Sequence, residues 1–114
     1  VAEDLQSEGI SLHVYDPRSL LPLDLYGLEA AVRRTGRVIV FDDSNLVCGF
    51  AGEISALIAE HWFDALKGPV KRIGRATVPV PFSPLLDKAV VPTGETLKQA
   101  ALTMARTRAL GAVT

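Results

Sequence analysis

The stretch Arg37-Val38-Ile39-Val40-Phe41 decides the fold class that the sequence predicts. From Val38 to Phe41 its side chains are apolar at consecutive positions, which is typical of a strand covered on both faces in a parallel sheet. We expect it to end in a turn-rich loop at residues 42–45. A helix is predicted from about residue 50 to residue 66, because apolar residues recur there at three- and four-residue spacing. They form one face: Phe50, Ile54, Leu57, Ile58, Trp62 and Leu66.

The segments before this strand and helix continue the alternation of helix and strand. Residues 1–7 are interpreted as the last turns of a helix. Residues 10–15 are interpreted as a strand, since Ile10, Leu12 and Val14 alternate with the intervening side chains. Asp24 is a good N-cap for a helix over residues 25–34. Gly36 stands where that helix is expected to stop.

The segments after the central helix complete the predicted architecture. Residues 70–73 predict a short strand at a sheet edge. Residues 77–84 contain three prolines, which exclude a central strand and favour a stiff, extended arm. Thr93 can cap a last helix to about residue 109, before a tail at 111–114 that we expect to be frayed. The pattern favours a single α/β domain over residues 1–114, a three-layer α/β/α sandwich with a mostly parallel sheet that includes residues 10–15, 38–41 and 70–73.

Composition narrows the class of protein. The 114 residues are enough for one hydrophobic core. Twelve basic residues nearly balance thirteen acidic ones, which argues against a nucleic-acid binder. The single cysteine, Cys48, excludes an intrachain disulfide and a cysteine-rich zinc site, and we expect it to be a small buried residue. No apolar run reaches the ~20 residues of a membrane span and no signal peptide is visible, so we expect a cytoplasmic protein that does not act at a membrane. The chain begins with Val1 in what looks like the middle of a helix, so we expect it to be a piece of a longer protein.

Motifs for catalysis are weak in this sequence. Residues 49–52 (Gly-Phe-Ala-Gly) could hold a phosphate at a helix N-terminus, but a tight strand-to-helix turn is the favoured interpretation. Asp42, Asp43 and Glu53 could together bind magnesium. The favoured interpretation is that Asp42 and Asp43 end a strand and that Glu53 complements the positive end of a helix. We therefore predict no catalytic, cofactor-binding or metal-binding residue in this chain.

Four motifs, taken in order, cover almost the whole sequence. They are Tyr15-Asp16-Pro17-Arg18-Ser19-Leu20-Leu21-Pro22-Leu23-Asp24, Thr35-Gly36-Arg37-Val38-Ile39-Val40, Gly49-Phe50-Ala51-Gly52-Glu53-Ile54, and Gly68-Pro69-Val70-Lys71-Arg72-Ile73-Gly74 continued by Val78-Pro79-Val80-Pro81-Phe82 and Leu85-Leu86-Asp87. Together they resemble the transketolase C-terminal domain family. The fourth is the most specific and is similar to the corresponding run of the E1 beta subunits of 2-oxo-acid dehydrogenase complexes (pyruvate, branched-chain and acetoin types).

The resemblance implies an oxidoreductase that uses thiamine diphosphate and magnesium to decarboxylate a 2-oxo acid and passes the acyl group to a lipoyl domain. It also implies that the cofactor binds between the E1 alpha subunit and the N-terminal domain of beta. The C-terminal domain mainly builds the subunit interface and helps to dock the E2 core. The isolated domain is therefore expected to be inactive. Two alternatives stay open: a non-catalytic interaction module with the same fold, or the C-terminal domain of another transketolase-like enzyme.

The sequence departs from the family pattern in ways that bear on assembly. Lys67 stands where the family carries an acidic residue that contacts the core in some members, so it marks a possible core-docking position. The family domain begins with an apolar strand that lies centrally, between those at residues 10–15 and 38–41, and this strand is lacking here. The gap could be closed by direct strand pairing, by another chain, or by a segment outside this sequence.

We further expect self-association as a two-fold homodimer burying at least about 1,000 Å². A stiff arm loses little entropy when it docks, and aromatic residues are enriched in interface cores. The alternative is that Trp62 and Phe82 fold onto their own core. The candidate interface residues are Trp62, Phe63, Pro79, Pro81, Phe82 and Pro84.

Overall fold

A computed structural model describes residues 1–110 of the chain, with side chains through Thr107. The tail at residues 111–114, for which fraying is predicted, lies outside the described residues. The described elements are α1 (Ala2–Ser7), α2 (Leu25–Thr35), β1 (Ile39–Asn45), α3 (Phe50–Trp62), a 3-10 turn (Phe63–Ala65), β2 (Lys71–Arg75), α4 (Pro84–Val90) and α5 (Gly94–Leu110).

Helix α2 is bounded by the two residues that the sequence indicates. The Asp24 side chain accepts a hydrogen bond from the backbone N–H of Gly27 at 2.9 Å, as an N-cap residue does. At the other end Gly36 has φ 69°, a left-handed conformation that favours glycine, and its N–H donates to the carbonyl of Val32 at 2.7 Å. Leu28 and Val32 are buried on the inner face of the helix. The predicted helix, with its cap at Asp24 and its stop at Gly36, is confirmed.

Strands β1 and β2 are parallel neighbours, with Ile39 opposite Lys71 and Phe41 opposite Ile73. The predicted end of β1 at residue 41 is wrong, because the strand continues to Asn45 through an irregular register. Arg75 explains the extension: its guanidinium pairs with Asp43 at 2.7 Å, and its carbonyl accepts from the N–H of Leu46 at 3.0 Å.

Helices cover both faces of this sheet, which confirms the α/β layer prediction. Val38 and Val40 pack against a core from α2 and α3. Ile73 shares the opposite face with Phe41, its register partner, because successive side chains alternate between faces. A groove lined by Ile73 and by α5 places that helix on this second face. The core residues of α2 and α3 are Leu28, Val32, Ile54, Ile58 and Trp62.

The strand predicted at residues 10–15 is not formed, and this part of the fold prediction is wrong. Residues 11–15 make no backbone–backbone hydrogen bond with any other described residue. A strand is stabilised by the hydrogen-bond ladder with a neighbouring strand, and no described strand lies within hydrogen-bonding distance of this segment. In the described residues the sheet therefore has two strands.

The last third of the domain differs from the prediction in detail. Helix α3 stops at Trp62 and tightens into the 3-10 turn, so the predicted helix end at residue 66 is wrong. Pro84, which the sequence assigns to the arm, instead occupies the first turn of α4. Proline is tolerated there because the first N–H groups of a helix make no intrahelical hydrogen bond. Thr93 caps α5 by accepting from the N–H of Thr96 at 3.3 Å. Within the described chain, none of the helices combines the length and apolarity that crossing a membrane requires.

Candidate functional site

The candidate interface residues fall into one buried and five surface positions. Trp62 is only 6% exposed and belongs to the core of its own chain, so it offers no surface to a partner. This matches the alternative in which Trp62 folds inward. The other five lie at or near the surface: Phe63, Pro79, Pro81, Phe82 and Pro84. Among them, Phe82 has the most exposed aromatic ring.

Residues 78–86 form an exposed hydrophobic surface that we call the apolar arm. It is anchored at its start, where the N–H of Ala76 donates to the carbonyl of Val90 at 3.2 Å. The arm then runs to the first turn of α4, with its large apolar side chains in solvent. Singly exposed apolar residues are ordinary, but a contiguous set of this kind is typical of an interaction surface. The members are Val78, Val80, Phe82, Leu85 and Leu86.

Leu85 and Leu86 belong to this surface, although the sequence indicates them only as part of the fourth motif and not as interface residues. Proline spacing marks the arm but does not show that α4 begins at Pro84 and turns both leucines outward. A second group of exposed apolar side chains lies before α2 and in the first residues of that helix, and the sequence did not predict it as a surface. The apolar segment at residues 20–23 is the sequence feature that could have indicated it. Its members are Val14, Leu20, Leu21, Leu25 and Tyr26.

Lys67, the possible core-docking position, is exposed on the loop between the 3-10 turn and β2. Its backbone N–H donates to the carbonyl of Gly36 at 2.7 Å, which ties this loop to the end of α2. A Cβ built on Gly36 would lie 2.9 Å from the Lys67 side chain, so the stem of the lysine packs over the glycine. The side chain therefore has a fixed base and an exposed charged end.

The carboxylates considered as a magnesium site are engaged elsewhere. Asp43 forms the ion pair with Arg75, Asp42 accepts from the hydroxyl of Ser44, and Glu53 lies in the first turn of α3. Among the described residues, no three His, Cys, Asp or Glu side chains come together as a possible metal site. Glu53 thus lies in the first turn of a helix as predicted, whereas Asp42 and Asp43 lie within β1 and not at its end.

The strand-to-helix turn at residues 45–49 is tightly packed. A Cβ on Gly49 would overlap the carbonyl oxygen of Asn45, so only glycine fits at this helix start. Cys48 precedes it with φ 59° and is exposed. The expectation of a buried Cys48 is wrong, because the turn directs that residue outward.

A cleft of about 290 Å³ separates residues 13–23 from β1. Its walls include His13, Tyr15 and Leu23, and its floor includes Leu28 and Ile54 from the core helices. Residues 11–15 and β1 make no backbone hydrogen bond with each other, so direct pairing of this segment with β1 is not observed.

Tyr15 and Asp24 are electrostatically coupled at one end of the cleft. The Tyr15 hydroxyl donates to Asp24 Oδ2 at 3.0 Å. Desolvation, followed by this hydrogen bond to the carboxylate, raises the pKa of Tyr15. The pKa of Asp24 is lowered, first by the N–H of Gly27 and then by the Tyr15 hydroxyl. Both pKa shifts favour the states in which the bond forms, a neutral Tyr15 hydroxyl and an ionised Asp24 carboxylate.

Helices on both faces of a parallel sheet, followed by an exposed apolar arm, define an α/β domain. Comparison with known proteins names its family. The family model "Transketolase, C-terminal domain" matches residues 1–97, and the chain belongs to this family, as its four motifs indicate.

Relatives of known identity are beta subunits of oxidoreductases. The chain is 44% identical over 92 residues to the beta subunit of acetoin:2,6-dichlorophenolindophenol oxidoreductase of Bacillus subtilis, covering 81% of this chain and 27% of that protein. It is 38% identical over 100 residues to the mitochondrial pyruvate dehydrogenase E1 component subunit beta-1 of Oryza sativa, covering 88% and 27%. It is 37% identical over 73 residues to the 2-oxoisovalerate dehydrogenase subunit beta of Pseudomonas aeruginosa, covering 64% and 21%. The chain thus spans less than a third of the length of these relatives.

Proposed function

We propose that this chain is the C-terminal assembly domain of a thiamine-diphosphate-dependent 2-oxo-acid dehydrogenase E1 beta subunit. The observation that carries the proposal is its likeness to three kinds of dehydrogenase beta subunit, combined with an exposed apolar arm. In the full enzyme the reaction is oxidative decarboxylation with transfer of the acyl group to lipoyl. The domain contributes contacts to the E1 alpha subunit, to the E2 core and to a second beta subunit.

The residues that the structure describes do not fit a thiamine diphosphate and magnesium site. Magnesium requires converging oxygen ligands, and the Asp42 and Asp43 carboxylates are taken up by Ser44 and Arg75. We therefore assign the cofactor to other parts of the full enzyme and no reaction step to this domain. The role left for the domain is to hold subunits in place.

Within this role we propose a two-fold homodimer with Phe82 and its flanking prolines at or beside the contact. The arm is tied down at Ala76 and continues directly into α4, so little conformational freedom is lost when it docks. Sedimentation at micromolar concentration tests this directly. A dimer that dissociates in Phe82→Ala, while circular dichroism shows an intact fold, is expected; a monomeric wild-type chain would contradict it.

A domain exchange tests the enzymatic assignment. The homologous region of the Bacillus subtilis acetoin oxidoreductase beta subunit is replaced by this chain, to which it is 44% identical over 92 residues, and the chimera is combined with the alpha subunit. We expect assembly and acetoin-dependent reduction of 2,6-dichlorophenolindophenol. A folded chimera that fails to assemble would instead favour the non-catalytic interaction module, which the exposed arm alone also supports.

A further inference from the structure

Three cationic side chains lie together where β1 and β2 begin, and we call them the basic cluster. Arg37 precedes β1, Lys67 lies in the loop before β2, and Lys71 is the first residue of β2. The stem of Lys67 packs over Gly36, and a Cβ built on Gly68 would lie 3.8 Å from the guanidinium of Arg37. Among the described residues, none of the three cations forms an ion pair with a carboxylate.

The basic cluster stands at one end of the groove between β2 and α5, which has a volume of about 420 Å³. Arg37 Nη1 donates to the carbonyl of Met104 at 3.2 Å, which places the cluster beside the later turns of α5. The groove follows α5 from Thr96 to Thr107, about 16 Å of helix. Of the described residues that line it, none is Asp or Glu. The apolar side chains of its lining are Pro69, Ile73, Ala100 and Met104.

Local roles explain each cation separately but not their convergence. Lys71 on an edge strand discourages pairing with another strand. Arg37 fastens α5 through the carbonyl of Met104, and Lys67 covers Gly36. Like charges that are brought together without a carboxylate leave a positive potential, which attracts an anionic partner to this end of the groove.

The apolar lining and the basic cluster together indicate the kind of anionic partner. A nucleic acid is bound mainly through its phosphates by a strongly basic surface, whereas this chain has a net charge of −1 and an apolar groove. A small molecule is usually enclosed on most of its surface, whereas Thr96, Thr103 and Thr107 leave the α5 side of the groove exposed. A protein segment with both carboxylates and apolar side chains matches both parts of the site.

We propose that this groove docks an acidic, amphipathic segment of a partner protein. Its carboxylates face Arg37, Lys67 and Lys71, and its apolar side chains contact Ile73 and Met104. The inference rests on the assembly role proposed above and specifies the charge of the partner at the possible core-docking position. Opposite charges speed association and fix the orientation of the segment, while burial of apolar side chains in the groove adds affinity.

Fluorescence anisotropy of a labelled peptide of leucine and glutamate, titrated with the 114-residue chain, tests the docking. We expect Lys67→Glu to weaken binding at least about tenfold, because it reverses a charge of the cluster and keeps the backbone N–H that bonds Gly36. The matched control is Lys88→Glu, which makes the same change in net charge at an exposed position of α4 outside the groove. It is expected to weaken binding less than about twofold. Circular dichroism verifies that both variants fold.

Two further peptides make the test specific. A peptide of serine and glutamate is expected to bind the wild-type chain at least about tenfold more weakly, because it lacks the apolar side chains. A peptide of leucine and lysine is expected to bind Lys67→Glu more tightly than it binds the wild-type chain, since the charge of the site is reversed.

Three outcomes overturn the acidic partner. The first is no binding of the leucine–glutamate peptide to the wild-type chain. The second is an equal loss of binding in Lys67→Glu and Lys88→Glu, which shows a general attraction between net charges. The third is equal affinity for the serine–glutamate peptide, which shows attraction to any polyanion. The assignment to a dehydrogenase beta subunit is decided separately by the domain exchange.

Discussion

The phenolic hydroxyl of Tyr15 donates to Asp24 at both Oδ2 (3.0 Å) and the backbone carbonyl (3.2 Å). Residues 11–15 have no backbone ladder, so this side chain supplies the hydrogen bonds that tie the segment to the start of α2. Asp24 also caps α2, and one carboxylate therefore holds both the helix and the wall of the cleft.

Tyr15→Phe is expected to lower the free energy of unfolding by on the order of 1 kcal/mol, because it removes a hydrogen bond and keeps the ring. Urea unfolding measures this change. Tyr26→Phe is the matched control: Tyr26 lies in the first turn of α2 and is 90% exposed, so its removal is expected to have no effect. Equal stability of the two variants would contradict the role given to Tyr15.

The stability of the wild-type chain is expected to fall in acid through Asp24. The pKa of Asp24 is lowered in the folded state, so its contribution is present above its unfolded pKa of about 4 and is lost as the pH falls through the folded pKa. Asp24→Asn keeps a capping side chain that does not titrate. Unfolding free energies measured in urea over a pH series should therefore converge at low pH, and parallel curves would exclude Asp24 as a source of the pH dependence.

Gly36→Ala is expected to destabilise the chain more than Gly9→Ala. Both glycines have positive φ, 69° and 79°, so alanine at either position costs on the order of 1–2 kcal/mol of backbone strain. Only at Gly36 would the added Cβ also meet the carbonyl of Ala65, at 2.8 Å, whereas nothing lies within 4 Å of it at Gly9. Thermal unfolding measures the stability of both variants. Gly9→Ala reports the backbone strain alone, and Gly36→Ala reports the strain together with the steric overlap.

Ile58→Ala is expected to cost about 2–5 kcal/mol of stability, since the side chain is 0% exposed and its removal leaves a cavity between α2 and α3. Val47→Ala, at a position that is 60% exposed, is expected to change stability by less than about 0.5 kcal/mol. Denaturant unfolding measures both. A small effect at Ile58 would show that the core relaxes around the truncation.

Thiamine diphosphate with magnesium is expected not to bind this chain. The acidic side chains near the strand-to-helix turn are paired with Arg75 and Ser44 and cannot converge on a cation. Isothermal titration calorimetry is the measurement. Stoichiometric binding in the micromolar range would overturn the assignment of the cofactor to other parts of the enzyme.

The sequence by itself determined the elements that depend on local chemistry. Asp24 and Gly36 mark the two ends of α2, because a capping carboxylate and a left-handed glycine form their hydrogen bonds with residues a few positions away in the sequence. The apolar run at residues 38–41 indicated a strand covered on both faces, and the motif order indicated the family. The proline spacing likewise marked the arm, since proline restricts its own backbone wherever it occurs.

Tertiary structure decided whatever depends on a distant partner. Residues 11–15 have the alternation of a strand but no backbone partner among the described residues, so they form no strand there. β1 extends to Asn45 because Arg75, thirty-two residues after Asp43, holds it there. Trp62 and Phe82 are both candidate interface residues in the sequence. The tertiary structure distinguishes them, because Trp62 packs into the core formed by α2 and α3 whereas Phe82 remains in solvent.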